Sequence, residues 1–120
     1  MIMNQTFPKA VRLNQSQTIR EIFAKGVYKS LGEIGVKYRK AKVDSSRFSI
    51  SVSKKVGNAP YRNRIKRLLR EAIRQKRSML NSCYDFCFFV IIPPENTLKY
   101  SRVLQQVKFL FNRINKEHSD

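Results

Sequence analysis

Three sets of residues in this chain could do chemistry: its acids, its few histidine and cysteine side chains, and a dense run of cations. The eight acids, Glu21, Glu33, Asp44, Glu71, Asp85, Glu95, Glu117 and Asp120, are scattered singly. A metal-dependent nuclease needs carboxylates that converge on one or two ions, and neither a local acid pair nor a D-x-D motif occurs. His118 is the only histidine and is expected in a C-terminal tail, without the fixed partners that general-base work requires. Cys83 and Cys87 therefore lack a histidine to activate them. On a strand their Cα atoms would stand roughly 13 Å apart, too far for a disulfide. With one histidine they also fall short of a zinc set, so buried, reduced thiols are expected. This inventory predicts no catalytic residue and no metal site in the chain itself.

The cations are different. Residues 56–77 read VGNAPYRNRIKRLLREAIRQKR, and the last sixteen of them hold six arginines and two lysines against one acid, Glu71. The apolar positions Ile65, Leu68, Leu69, Ala72 and Ile73 predict an amphipathic helix with a core face about 140° wide. With Arg62 at zero, Lys66, Arg77, Arg70, Arg74 and Arg67 fall between about 40° and 140° around the axis, and Asn63 sits near 100° among them. Arg64 falls near 200°, beside Glu71, a candidate partner. Like charges at i, i+4 destabilise an isolated helix by a few tenths of a kcal/mol each. Arg62, Lys66, Arg70 and Arg74 form such a ladder with no interleaved acid, whereas a merely solvated face mixes signs. Phosphate oxygens reverse that cost, since Arg offers them a planar fork and Lys a point charge. Asn63 both donates and accepts, so it could read a base edge, bond a 2′-hydroxyl or fix its arginine neighbours. Lys54 and Lys55, just before the helix, extend the positive surface over residues 54–77.

The elements that must position this surface follow from periodicity. Residues 1–15 read as an irregular or extended lead-in. A helix follows, capped by Ser16 or Thr18, with Ile19, Ile22 and Phe23 on one side and a left-handed Gly26 at its end. Val36–Lys40 alternates as a strand, and Asp44-Ser45-Ser46 turns the chain. Phe48, Ile50 and Val52 alternate with Ser49, Ser51 and Ser53, giving a strand with one core face and one polar face. Asn58 caps the basic helix, with Pro60 in its first turn. Phe86 to Ile92 is a continuous apolar run, a central strand buried on both faces and ended by Pro93-Pro94. A last helix from about Leu98 to Lys116 places Val103, Val107, Leu110 and Ile114 on one stripe, with Leu104 and Phe111 beside it, before a tail at 117–120. The order predicts an α+β fold, an α/β sandwich on a small sheet, and 120 residues suit one domain.

The totals narrow the partner. The chain carries 25 Lys+Arg against 8 Asp+Glu, a net charge of +17, with 42% hydrophobic residues. That composition supports a folded core, and self-repulsion of that size favours a polyanionic partner, foremost a nucleic acid. No run of about 18 apolar residues exists to span a membrane. The N-terminus lacks the basic-then-apolar order of a signal peptide, which predicts a cytoplasmic location. Two other binding classes compete: a DNA- or rRNA-binding accessory module, and a membrane-surface or calmodulin-binding basic helix. The cations span a whole helix face rather than its N-terminal reading positions. A strand and a glycine turn, rather than a helix, precede it.

SVSKKVGNAPYRNRIKRLLREAIR, Ser51 to Arg74, closely resembles the signature of the bacterial ribonuclease P protein subunit: a V-S-K-K-x-G strand end, then R-N-R-x-K-R-x-x-R on a helix. RLNQSQTIREIFAKG resembles that family's first helix, Tyr38 falls on its aromatic strand, and TLKYSRVLQQVKFLF is similar to its last helix. The resemblance implies one ribonuclease P protein domain over 1–120, with a mixed sheet and a left-handed βαβ crossover through the basic helix. It implies a subunit that assists a catalytic RNA in removing the 5′ leader from precursor tRNA. Mg²⁺ would be held through the RNA subunit, and no obligatory protein partner is expected. Lys54, Lys55, Arg62, Asn63, Arg64, Lys66, Arg67, Arg70 and Arg74 would face the RNA subunit. Ile19, Phe23, Tyr38, Ser51 and Ser53 would line a cleft for the single-stranded leader. Two departures stand out: Ile19 replaces a usual aromatic, and Ile91 or Ile92 replaces an arginine common after the central strand.

Overall fold

Alternating apolar residues on three strands face one side of a single sheet, and two amphipathic helices cover that side. The computed structural model describes residues 12–13, 15–90 and 98–118. In chain order these form α1 (Ser16–Lys25), β1 (Val27–Leu31), β2 (Ile34–Lys40), β3 (Arg47–Ser51), α2 (Ala59–Lys76), β4 (Tyr84–Val90) and α3 (Tyr100–Glu117). The sheet order is β1-β2-β4-β3. β1 with β2 and β2 with β4 are antiparallel, while β3 and β4 are parallel neighbours joined through α2. The fold is α+β, with three helices on a four-stranded mixed sheet. The expected strand end at Pro93-Pro94, the residues Ile91 and Ile92, and most of the lead-in lie outside the described residues.

The main core lies between the sheet and the pair α2–α3. Ile34, Val36, Tyr38, Phe48, Phe86 and Phe88 pack there against Ile65, Leu69, Ala72 and Ile73 of α2 and Val107, Leu110, Phe111 and Ile114 of α3. The expected apolar stripe of the last helix is buried, with Leu104 half-buried at its margin. α1 packs on the opposite side of the sheet, where Ile22 is buried with Leu13 and Cys87, and Ile19 and Phe23 lie beside them. Cys83 and Cys87 are free thiols, and burial pushes the Cys87 thiol pKa up.

Several boundaries differ from the sequence expectation. β1 was not anticipated, because it is an edge strand whose Val27 and Tyr28 are exposed, leaving no buried alternation to read. It joins β2 through Gly32-Glu33, and Gly32 takes the positive φ of 59° that a II′ hairpin places at its first loop position. β4 starts at Tyr84, two residues before the apolar run, because Asp85 is buried in the strand by pairing with Arg47. α1 is preceded by Gln15 rather than capped by Ser16 or Thr18, and Thr18 instead bonds the Gln15 side chain. Gly26 is not left-handed; its φ is −72°. A Cβ there would lie 2.5 Å from the Ile22 carbonyl oxygen and 3.0 Å from that of Tyr38, so close backbone approach is what requires glycine. At the C-terminus α3 runs through Glu117, which pairs with Lys29, and His118 folds back onto the sheet instead of trailing from it.

That last contact carries a pH consequence. The Tyr38 hydroxyl and His118 Nε2 share a hydrogen bond of 2.8 Å, and Tyr38 stands edge-on to both Tyr84 and His118. Burial, then the nearby charges of Glu117 and Tyr84, push the Tyr38 pKa up to about 12. An unfolded tyrosine ionises near about 10, so the folded state holds its proton longer. The stabilisation is complete below about pH 10 and is lost as pH rises toward about 12. Urea midpoints should therefore fall over this window. Tyr38→Phe should blunt the fall without abolishing it, since burial also raises Tyr84 and Tyr100.

Candidate nucleic-acid interface

The basic helix is set in place by its own first turn. The Ser53 hydroxyl accepts from the Lys55 N–H at 3.2 Å, closing a short 3₁₀ turn over Lys54–Val56. Asn58 then caps α2, its side-chain oxygen accepting from the Tyr61 N–H at 3.1 Å, which satisfies one of the helix's open donors. Gly57 lets the Tyr61 ring approach, since a Cβ there would meet Tyr61 Cδ2 at 2.7 Å. Arg62 reaches back and donates to the Gly57 carbonyl at 3.0 Å, which locks the turn to the helix.

Along the cationic side, Lys54, Lys55, Asn63 and Arg67 are exposed, while Arg62, Lys66 and Arg70 are half-buried. Partial burial, with the charges of Arg12 and Arg67 close by, pushes the Arg70 pKa down. Like charges add to the cost of burial on this face, and an anion placed there would offset both. Two arginines behave differently from expectation. Glu71 pairs with Arg74, whose Nε donates to it at 3.0 Å across i, i+3, and not with Arg64. Arg64 stands seven residues from Glu71, about two turns along the axis, while Arg74 is within one turn. The Arg64 Nη1 is buried and has no hydrogen-bond partner among the described residues.

The two faces of the sheet sort the other expected residues. Tyr38 does not line the side beside α1. It is 1% exposed and points with Val36 into the main core, because side chains alternate along a strand. Lys37 occupies the opposite side in its place. Its Nζ donates to the Phe23 carbonyl at 2.5 Å and lies 5.9 Å from the centre of the Phe23 ring. Phe23 in turn packs on Phe89 with ring centroids 5.6 Å apart, and Phe89 stacks on exposed Tyr28 at 6.1 Å. Lys37, Tyr28 and Phe89 thus join Phe23 in one aromatic cluster with a cation beside it. The alternation of Val36-Lys37-Tyr38 carried the signal for Lys37, whereas Tyr28 lay in the unread edge strand. Ser51 is exposed at the end of β3, while Ser53 lies beyond that strand and caps the 3₁₀ turn.

Ile19, packed with Phe23 against the same small core, reaches toward the basic helix. It lines a groove of about 400 Å³ together with Leu13, Ser49, Ile50, Lys66 and Arg70, along the edge of β3. The lead-in covers part of that edge, the Leu13 N–H donating to the Phe48 carbonyl at 2.8 Å. So the α2 cations and the α1 residues, on opposite faces of the sheet, adjoin across one strand edge. An apolar floor with Arg70 and Lys66 at its rim suits a nucleotide, the base or sugar below and phosphate above. Among the described residues, no three His, Cys, Asp or Glu side chains gather to hold a metal ion, and no helix is long and apolar enough to cross a membrane.

Comparison with known proteins gives one answer. The family model for ribonuclease P matches residues 7–115. The ribonuclease P protein component of Dictyoglomus turgidum is 39% identical over 93 residues, covering 78% of this chain and 76% of that protein. The component from Petrotoga mobilis is 31% identical over 116 residues, covering 92% and 96%. The structure of the Staphylococcus aureus RNase P protein superposes with a TM-score of 0.76 at 28% identity, covering 90% of this chain and 97% of that one. The Thermotoga maritima protein gives 0.77 at 26% identity, covering 85% and 96%. A sheet carrying the strand–turn–basic helix unit, a family match over nearly the whole chain and these relatives agree: the chain belongs to the ribonuclease P protein component family.

Proposed function

We propose that this protein docks on the catalytic RNA of ribonuclease P through the cationic side of α2 and holds the 5′ leader of precursor tRNA in the cleft beneath α1. The carrying observation is the groove at the β3 edge, where Lys66 and Arg70 meet Ile19. One surface then runs from phosphate-binding cations to an aromatic floor, so the protein can touch the ribozyme and its substrate together. Lys54, Lys55, Asn63, Arg67 and Arg70 supply the RNA-subunit contacts, while Arg62 and Arg74 are partly spent inside the protein. Phe23, Tyr28 and Phe89 offer stacking area, and Lys37 a cation within that cleft. In this reading the RNA subunit, with its Mg²⁺, performs the cleavage, and no step passes through an ion held by this chain.

The leader contact is tested by affinity. A holoenzyme reconstituted with this protein should bind precursor tRNA bearing a leader more tightly than the leaderless molecule. Phe23→Ala should narrow that gap by roughly tenfold, the worth of one stacked base. Equal affinity for the two substrates with wild-type protein would end the leader-binding role.

A further inference from the structure

The outer face of α3 is unlike a solvated helix surface. Phe109 is 46% exposed there, one of four large hydrophobics so exposed among the described residues. At about 100° per residue, Arg102, Gln105, Asn112, Arg113 and Lys116 all fall within about 60° of Phe109, and no acid among the described residues shares the stripe. The nearest acids, Glu33 and Glu117, lie at its margins and are engaged, Glu33 with Arg102 and Gln106, Glu117 with Lys29. Arg113 sits over the Phe109 ring at 6.0 Å. Phe109 stands between two grooves: one of about 730 Å³ toward Asn112, Arg113 and Asn81, the other of about 350 Å³ toward Arg102, Gln105 and the Gly32 turn.

The rims of these grooves are held in place. Arg102 Nε donates to Glu33 at 3.1 Å, tying the β1–β2 turn to the helix. Asn115 donates to the Met79 carbonyl at 2.8 Å and accepts from the Asn81 N–H at 3.0 Å. α3 touches β1 and α2 touches β3, at opposite edges of the sheet, and Lys66 and Arg70 lie on the β3 side, so this stripe is separate from the surface proposed above.

We infer that the outer face of α3 is a second RNA-binding surface, taking a short single-stranded or unpaired segment with one base stacked on Phe109. An exposed ring with a guanidinium beside it, amides for base edges and cations along about 21 Å of helix match what unstructured RNA presents. Charge selects this occupant: a second copy of a chain at +17 is repelled, and an RNA strand is attracted.

The chain contains no tryptophan, which makes a site-specific test simple. Phe109→Trp places the only indole on this face. Titrated with an unstructured eight-nucleotide RNA at low salt, its emission should fall saturably, and the half-saturating concentration should rise several-fold as salt is raised. Adding Arg113→Gln should weaken that response by roughly tenfold. Phe23→Trp, made separately, reports the cleft under α1. Emission from Phe109→Trp that stays constant while Phe23→Trp is quenched would assign the RNA to the cleft alone and overturn the inference. Unquenched emission from both variants would overturn it too. So would emission from Phe109→Trp that changes with protein concentration alone, because that would mark a contact between copies of the chain.

Discussion

Replacing Lys66, Arg67 and Arg70 together by alanine should cost the protein most of its affinity for the ribonuclease P RNA while leaving it folded and no less stable. Each of these side chains that neutralises a phosphate releases counterions on binding. The slope of log K against log salt should therefore become shallower by roughly two to three units in the triple variant, and by about one in Arg70→Ala. The stability expectation follows from the free protein. Arg70 is half-buried, and that burial, with the charges of Arg12 and Arg67 close by, pushes its pKa down. Removing the cluster relieves repulsion of a few tenths of a kcal/mol per pair, so the thermal midpoint should hold or rise slightly. A pure folding defect would lower the midpoint and leave the salt slope alone. Filter binding across a salt series, beside a thermal melt, separates the two.

Arg47→Ala should destabilise the fold severely. Asp85 is fully buried in β4, and Arg47 on the neighbouring strand clasps it with two hydrogen bonds, Nε to Oδ1 at 2.9 Å and Nη2 to Oδ2 at 3.0 Å. Arg47 and Asp85 face one another in the parallel register, and Arg39 faces Asp85 from β2 but bonds Glu21. Truncating Arg47 strands a carboxylate inside the protein, a loss of about 3–5 kcal/mol. Removing both charges is milder: Arg47→Met with Asp85→Leu should recover most of the loss, because the desolvation of the pair disappears with it. Urea midpoints of the three proteins should order as wild type, double variant, then Arg47→Ala. A single variant as stable as wild type would show that Asp85 finds another partner.

The helices were legible in sequence because their apolar residues recur at helical spacing, and α2 also displays its cap, its proline and its charges in plain order. The central strand was legible from Phe86 onward. Its start was not, because Asp85 reads as a polar break until Arg47 is known to lie opposite. β1 was hidden for a related reason: an exposed edge strand buries no face and leaves no pattern. The candidate site divides the same way. The cationic side of α2 follows from helix geometry alone, apart from Arg64 and Arg74, whose partners depend on reach along the helix. The cleft depends on which face of each strand looks toward α1, and one residue of register exchanges the two. Tyr38 was therefore expected in the cleft and lies in the core, while Lys37 lies on the α1 side beside Phe23. The groove that joins the helix to α1 depends on residues 12 and 13 lying along β3, a pairing that no local pattern announces.

The central claim is that this protein works on precursor tRNA only through a catalytic RNA. Its most direct measurement is the rate of 5′-leader removal when a bacterial ribonuclease P RNA, Mg²⁺ and precursor tRNA are mixed at near-physiological salt, with and without the protein. The predicted result is a clear rise in rate with the protein present, and no cleavage by the protein alone. No rise over RNA alone, or cleavage by the protein alone that EDTA abolishes, would contradict it.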